Sequence, residues 1–432
     1  MAIGALLVLD SRARPRCDAV ARLLLERSAR VPRLGQRLAA TPPGTGRPVW
    51  LDAGSAAVAD RIDSVVVADP TRRALLDAMA GVVLTRLSPH APLWRARLLL
   101  DPTGAVAAVA VTAHHVLADG MAGLAVLGAL ADPPVGTGSP GHDRDRTAPR
   151  PAADGTASGH ATRLPEGVPP WADLARDAWS HRAAALRHPR RGGRHLSRGV
   201  EELGLRRPHL ADRCSLLGGT GDRRRFEVAT ADLSSVVATA HARGATVNDV
   251  VVTAVTGALV ELLARRGEHV AELVVSVPVS RRGQGAAGAL GNDTGVVPVR
   301  VPAVPEWERR LTALVEQRSR VGAPGRGGSA AVLTPAFRAL AAVGAFQPFV
   351  DHQRLVHTFV TNVRGPAERL RMAGAEVTAV VPVAVNPGNV AVSFDVLSYA
   401  GTLGVTLVCD PGLVPESGWL ADRVATGLTA SA

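Results

Sequence analysis

Apolar and polar positions divide the chain into two strongly patterned stretches separated by one in which the pattern dissolves. In the first, Ala5 to Leu9 is a short apolar run that reads as a strand. From Asp18 to Arg30, Val20, Leu23, Leu24 and Arg27 recur at helical spacing, and the helix ends before Pro32. Val65 to Ala68 is rich in β-branched residues, and Thr71 can cap a helix running through Arg86, with Leu75, Leu76, Met79, Val83 and Leu87 on one side. Trp94 to Leu100 alternates, Pro102-Thr103-Gly104 makes a turn and Val106 to Thr112 is a second strand, so the pair predicts a hairpin. Two histidines, His114 and His115, follow at once, and Met121 to Leu130 reads as a helix.

Gly, Pro, Asp and Arg dominate Pro133 to Pro170, and Trp171 to Leu186 reads as a helix interrupting a linker that lasts to Arg225. Order returns at Phe226. Thr230 to Arg243 and Thr246 to Arg265 read as a helical pair around Gly244, with Asn248-Asp249 in the first turn of the second. Strands are expected at Leu273–Val279, Val296–Val301, Val356–Val363, Glu376–Val385, Val390–Ser398 and Leu403–Cys409, and helices at Glu306–Arg320 and Leu413–Leu428. The last two strands join at Tyr399-Ala400-Gly401-Thr402. The arrangement is an α/β (α+β) chain with two mixed-sheet halves, residues 1–132 and 226–432, joined by a crossing linker, 133–225, that packs partly on the first half. A chain of 432 residues is long enough for two such cores.

Composition narrows the partners. Aromatics are 3% of the chain, so the core is built from Ala, Val and Leu, and a base-stacking surface for single-stranded nucleic acid is not expected. The formal charge is +11, yet there is no Lys: all 49 basic residues are Arg, which looks like coding bias. The excess is local, because His142 to Arg225 holds 17 Arg against 10 Asp plus Glu, +7 of the +11. That stretch reads as a solvated basic segment with no nucleic-acid partner, compatible with weak attraction to an anionic membrane surface. Cys17, Cys214 and Cys409 share no metal-ligand spacing and read as reduced thiols. Met1 to Leu9 lacks a basic n-region, and the apolar run Val250 to Ala264, 15 residues, falls short of a membrane span. A cytoplasmic protein is expected, with peripheral contact at the inner membrane face or lipid droplets left open.

Of 13 histidines, His115 alone has an aspartate four residues downstream, in the run His114-His115-Val116-Leu117-Ala118-Asp119-Gly120. A neutral imidazole suits removal of a hydroxyl proton near neutral pH. Asp119 can fix the loop, and Gly120 permits the turn into the next helix. Adjacent histidines on an extended segment point to opposite sides, so one faces the reacting groups and the other supports the loop. The plainer alternative is a pair of turn histidines beside a capping Asp119. Competing motifs are weak: Gly136-Thr137-Gly138-Ser139-Pro140-Gly141 fits GxGxxG but contains Pro and opens no helix, and there is no GxSxG elbow, HExxH or Cys/His cluster.

The run His114 to Gly120 resembles the HHxxxDG signature of the bacterial wax ester synthase/acyl-CoA:diacylglycerol acyltransferase family, which is related to chloramphenicol acetyltransferase and to condensation domains. The resemblance covers nearly the whole chain. It includes Arg30-Val31-Pro32-Arg33-Leu34, Gly46-Arg47-Pro48-Val49-Trp50, Pro92-Leu93-Trp94 and Thr246-Val247-Asn248-Asp249-Val250. Further on it includes Pro278-Val279-Ser280-Arg281-Arg282, Leu290-Gly291-Asn292, Thr361-Asn362-Val363-Arg364-Gly365-Pro366 and Val396-Leu397-Ser398-Tyr399-Ala400-Gly401. It implies two chloramphenicol-acetyltransferase-like halves with the active site between them. His115 would deprotonate an alcohol that attacks the thioester of acyl-CoA, a co-substrate, with no cofactor. His114, Asp119 and Gly120 would support it, and Asn248 would lie near the reaction centre. Pro92-Leu93-Trp94 serves equally as a packing corner or a substrate wall, Asn248-Asp249 as a helix start or a substrate contact, and Asn362 as a strand end or a substrate contact.

Departures from the family pattern concern the substrate. The usual opening segment before Met1 is missing, Ala2 stands where histidine is common, the linker is rich in Arg and Gly, and Asn386-Pro387-Gly388-Asn389 is a shortened loop. The expected acceptor is diacylglycerol or a long-chain fatty alcohol. The alternatives are another hydroxylated molecule with the same base, or a non-catalytic relative. With neither Ser nor Cys flanking His115, direct transfer in a tunnel open at two ends is expected.

Overall fold

The computed structural model describes residues 2–117, 120–133, 167–187, 210–280, 294–321, 337, 340–341, 343–384, 386 and 388–429. Asp119, the Gly136–Gly141 run, Arg281-Arg282 and Leu290-Gly291-Asn292 lie outside them. The strands are β1 (Ala2–Leu9), β2 (Gln36–Ala39), β3 (Val49–Asp52), β4 (Ile62–Val66), β5 (Trp94–Leu100), β6 (Val106–His114), β7 (Arg225–Asp232), β8 (Glu272–Ser280), β9 (Thr294–Pro302), β10 (Thr358–Arg364), β11 (Arg371–Met372), β12 (Ala375–Ala384), β13 (Val392–Tyr399) and β14 (Thr402–Cys409). They form two six-stranded mixed sheets, ordered β11-β12-β1-β6-β5-β4 and β7-β14-β13-β10-β8-β9, with β2-β3 as a separate hairpin.

Chain order and sheet membership part company at one place. β12, from the C-terminal half, pairs antiparallel with β1 and completes the first sheet, Ile3 standing opposite Ala384 on one side and Ala113 on the other. Both ends of β12 are tied to β13 of the second sheet. The Tyr399 hydroxyl donates to Val377 O at 2.8 Å and accepts from the Leu370 N–H at 2.8 Å. Near the other end, the Ala384 N–H donates to Asp395 Oδ2 at 2.7 Å. The sheets are further joined by a buried cluster containing Leu6, Met79, Leu99, Phe226, Val383 and Val408, drawn from both halves.

Local sequence explains the elements. Thr71 caps helix Arg72–Leu84 by accepting from the Ala74 N–H. The hairpin β13–β14 turns through Ala400 (φ 47°) and Gly401 (φ 82°), two successive left-handed residues as a two-residue turn requires. The helix expected from Thr230 starts later: Arg225–Asp232 is a strand paired along its length with β14, and helix Leu233–Ala242 begins behind Asp232, whose carboxylate accepts from the Ser235 N–H. The alternation of buried Ala229 and Ala231 with exposed Thr230 and Asp232 favours the strand, and Phe226 on the other face is buried in the cluster between the sheets. Helix Val247–Arg265, 19 residues, is long and apolar enough to cross a membrane by length and composition. Here it is the centre of the second core, with Val250, Val255, Leu259 and Leu262 buried under helix Ser417–Thr429 and the second sheet.

Candidate functional site

A cavity of about 390 Å³ opens where the halves meet. The first half supplies an apolar wall: Ala2 to Ala5 of β1, Val111 and Ala113 of β6, Leu117, and Met121, Leu124 and Leu127 of helix Gly120–Leu130. That helix is apolar all round: Ala122, Val126, Leu127 and Leu130 are buried, the small residues Gly120, Ala125 and Gly128 are exposed, and its inner face becomes cavity lining. The second half supplies a more polar floor in which Thr361, Asn362, Ser393 and Asp395 stand among Val396 and Leu397. At Gly120 the halves come close: a Cβ there would lie 2.8 Å from Val363 Cγ2.

Among the described residues, two ionisable side chains line this cavity, one from each half, His115 and Asp395. His115 sits in the turn that follows β6. His114, still in register opposite Ala2, is turned back on its own loop, its Nδ1 accepting from the Val116 N–H at 3.2 Å. Burial pushes its imidazole below the ordinary histidine range. The backbone of His114 is pinned on both sides, its N–H donating to Leu93 O at 2.8 Å and its carbonyl accepting from the Leu117 N–H at 2.8 Å. Backbone bonds and the His114 ring together hold the corner that carries His115. Asp395 is 5% exposed; desolvation raises its carboxyl to about 7, against one hydrogen bond from the Ala384 N–H that lowers it. Sequence reading missed Asp395 because a lone acid between Phe394 and Val396 looks like the outward position of a half-buried strand.

The other expected residues are placed as follows. Asn362, on β10, and Gly120 line the cavity with His115. Pro92, Leu93 and Trp94 do not. They form a buried corner in which Trp94, 1% exposed, donates its indole N–H to Leu34 O at 2.8 Å. Asp249 completes a capping box with Thr246 and pairs with Arg318 at 3.1 Å. Asn248 lies outside the lining, and its Oδ1 is buried with no hydrogen-bond partner among the described residues. The cysteines also lie elsewhere: burial pushes the Cys409 thiol up to about 12 and raises Cys214. The serine in the lining, Ser393, donates its hydroxyl to Asn386 Oδ1. Among the described residues there is no group of three or more His, Cys, Asp or Glu that could hold a metal.

Asn386 belongs to a second cavity, about 980 Å³, of opposite character. Arg86, Arg213, Arg224 and Arg354 line it, with Asp351 as its acidic residue and His352 beside it. Arg354 is anchored by two donations to Ala211 O, at 3.1 and 2.8 Å, and Arg224 by Gly221 O at 2.8 Å and by Asp410 at 3.7 Å. Burial lowers the Arg224 pKa from its usual value.

The catalytic-domain profile of the wax ester synthase/diacylglycerol acyltransferase family matches residues 1–251, and that of its C-terminal domain residues 312–430. A probable diacylglycerol O-acyltransferase of Mycobacterium tuberculosis is 27% identical over 434 residues, spanning 98% of this chain and 89% of the relative. A second, putative, diacylglycerol O-acyltransferase of that organism is 26% identical over 409 residues, 90% of this chain and 78% of its own length. Among solved structures, a wax ester synthase/diacylglycerol acyltransferase from Marinobacter aquaeolei VT8 superposes with a TM-score of 0.63 at 20% identity, over 99% of this chain and 93% of that one. The first condensation domain of the CDA synthetase superposes with a TM-score of 0.59 at 17% identity, over 100% and 91%. Both likenesses are of fold.

Proposed function

The chain belongs to the wax ester synthase/diacylglycerol acyltransferase family and is an acyl-CoA-dependent O-acyltransferase acting on diacylglycerol or a fatty alcohol, and from that premise we propose that His115 is its general base. The observation that carries the assignment is the position of His115 in an apolar cavity between the halves, with the neighbouring His114 imidazole turned away. His115 takes the proton from the acceptor hydroxyl as its oxygen attacks the thioester carbonyl. The tetrahedral intermediate collapses by breaking the C–S bond, and the departing thiolate receives the proton from the imidazolium. Transfer is direct. Covalent catalysis needs a serine or cysteine within reach of the base, whereas the lining serine is engaged with Asn386 and the thiols are elsewhere. No cofactor takes part.

Acyl-CoA is both greasy and several-fold anionic, and the cavity at His115 has no cationic partner for phosphate among its described lining. The arginine-lined cavity on the far side of the Ser393–Asn386 hydrogen bond suits the phosphates, and its chemistry supports acyl-CoA as the donor. A lipid acceptor has to be drawn from a membrane or droplet surface, so peripheral contact with such a surface is part of this reading. The test is release of CoA thiol from palmitoyl-CoA across a panel containing diacylglycerol, long-chain alcohols and polar alcohols. Turnover with diacylglycerol or a long-chain alcohol supports the assignment; hydrolysis alone, with no ester formed from any acceptor, sinks it.

A further inference from the structure

Asp395 is a buried carboxyl facing the space where substrate must lie. It is 5% exposed and lines the cavity, and among the described residues its hydrogen-bond partner is the Ala384 N–H. That bond orients the group. Ala384 stands opposite Ile3, and Ile3 opposite Ala113, two residues before His115. Ala384 and Ala113 are therefore two strand spacings apart, roughly 10 Å, which is the span of a small head group.

The surroundings give this carboxyl a meaning. On β10, Thr361 stands in register with Asp395, and both line the cavity, as do Asn362 and Ser393. The opposing wall, from β1, β6 and helix Gly120–Leu130, is aliphatic. An alkyl chain fits against that wall, but an alkyl chain pressed on the floor would leave the Asp395 carboxyl with the Ala384 N–H alone and its second oxygen desolvated. The occupant of the floor must itself carry hydrogen-bonding oxygen.

Resting on the acyltransferase reading above, we propose that Asp395 is a specificity-determining residue: it binds a second oxygen function, next to the reacting hydroxyl, on the acceptor alcohol. The preferred acceptors are then partial glycerides, vicinal diols or hydroxylated ring compounds, and simple primary alkanols are the poorer class. A carboxyl that is neutral donates to an ester carbonyl or ether oxygen, and one that is ionised accepts from a hydroxyl. Either form discriminates against an acceptor that offers neither. Discrimination of this kind is strong because the unmatched partner is a buried polar group left unpaired.

The experiment measures kcat/KM for the full chain with palmitoyl-CoA and two matched acceptors, dodecane-1,2-diol and dodecan-1-ol. The wild-type chain is expected to favour the diol. Asp395→Leu is expected to shrink that ratio roughly tenfold, about the worth of one hydrogen bond to a charged group, with the two acceptors moving in opposite senses or the loss falling on the diol alone. Asp395→Asn, which keeps hydrogen bonding, is expected to retain most of the preference. If the leucine variant does not fold, Asp395→Ala supplies the same comparison. An equal loss on both acceptors would mean that Asp395 merely holds β12 in place and would overturn the proposal, as would a wild-type chain indifferent to the second hydroxyl. The acyltransferase reading survives either of those results. A wild-type chain that forms no ester from any acceptor overturns that reading and this proposal together.

Discussion

The cavity at His115 and the cavity lined by four arginines lie on either side of the Ser393–Asn386 hydrogen bond and differ in nearly every physical respect. The first is about 390 Å³, walled by aliphatic side chains of packed strands and a buried helix, with His115 and Asp395 as the ionisable groups among its described lining. The second is about 980 Å³ and carries exposed Arg86 and Arg213 beside half-buried Arg224 and Arg354. The apolar cavity is a by-product of two cores meeting: its walls are positions that would be core if the halves closed further. The cationic one is assembled from loop and chain-crossing residues that contribute little to packing. With His115 as the proposed base and the arginines as the proposed phosphate site, the contrast teaches that reactivity and charge recognition are kept apart: an arginine beside the imidazole would hold water and oppose the imidazolium formed when the alcohol gives up its proton.

That separation can be broken experimentally. His115→Ala should lower turnover by roughly 10²–10⁴, the usual worth of a positioned base, and His114→Ala by much less, because its ring serves the loop. Equal losses would mean that the two imidazoles act as one unit. Replacing Arg86 and Arg213 together by Ala should raise KM for acyl-CoA roughly 3–10-fold, in keeping with two exposed charge contacts, with kcat and the KM for alcohol unmoved. A change in alcohol KM instead would place the acceptor on the cationic side.

Stability sharpens the contrast further. The Asp395 carboxyl is raised from about 3.8 to about 7 in the fold. The folded state therefore holds a proton that the unfolded chain releases between those values, and the stability this confers is lost as pH rises from about 4 to about 7. Across that window the Tm of wild type should fall relative to that of Asp395→Asn; parallel Tm curves would show a carboxyl that is already ionised. His115, the other ionisable lining residue, is unchanged in both chains. Smallest of all, Trp94→Phe should cost about 1 kcal/mol in urea unfolding for the lost bond to Leu34 O and leave acceptor preference untouched. A changed preference would move this corner from packing to substrate contact.

Much of this was legible along the chain. The β5–β6 hairpin, the Thr71 cap and the helix opened by Thr246 follow from periodicity and cap chemistry that act within a few residues. The place of His115 between β6 and helix Gly120–Leu130 was legible too, because these elements are contiguous. What escaped depends on contacts distant in sequence. Nothing near Ala375–Ala384 says that this strand belongs beside β1 rather than beside its own neighbours. Asp395 gains its character from Ala384, Thr361 and the emptiness in front of it, none of which a local pattern encodes. Arg86 and Arg224 are unremarkable in a chain with so many arginines until folding brings them to one cavity.

The place of β12 in the first sheet has a consequence for biosynthesis. During translation β1 emerges ahead of β6, which can cover one of its edges once residue 114 has left the ribosome. The other edge waits for residues 375–384. At about 5–20 residues per second that is a delay of tens of seconds. Throughout it the nascent chain presents Ala5, Leu6 and Leu7 along an open strand edge, the kind of surface that recruits chaperones or other chains. The first half is thus a sheet left ajar by design of its topology. Expression of residues 1–225 alone would fix it permanently in that state, so a split version of this enzyme would have to carry residues 371–384 in the same fragment as β1.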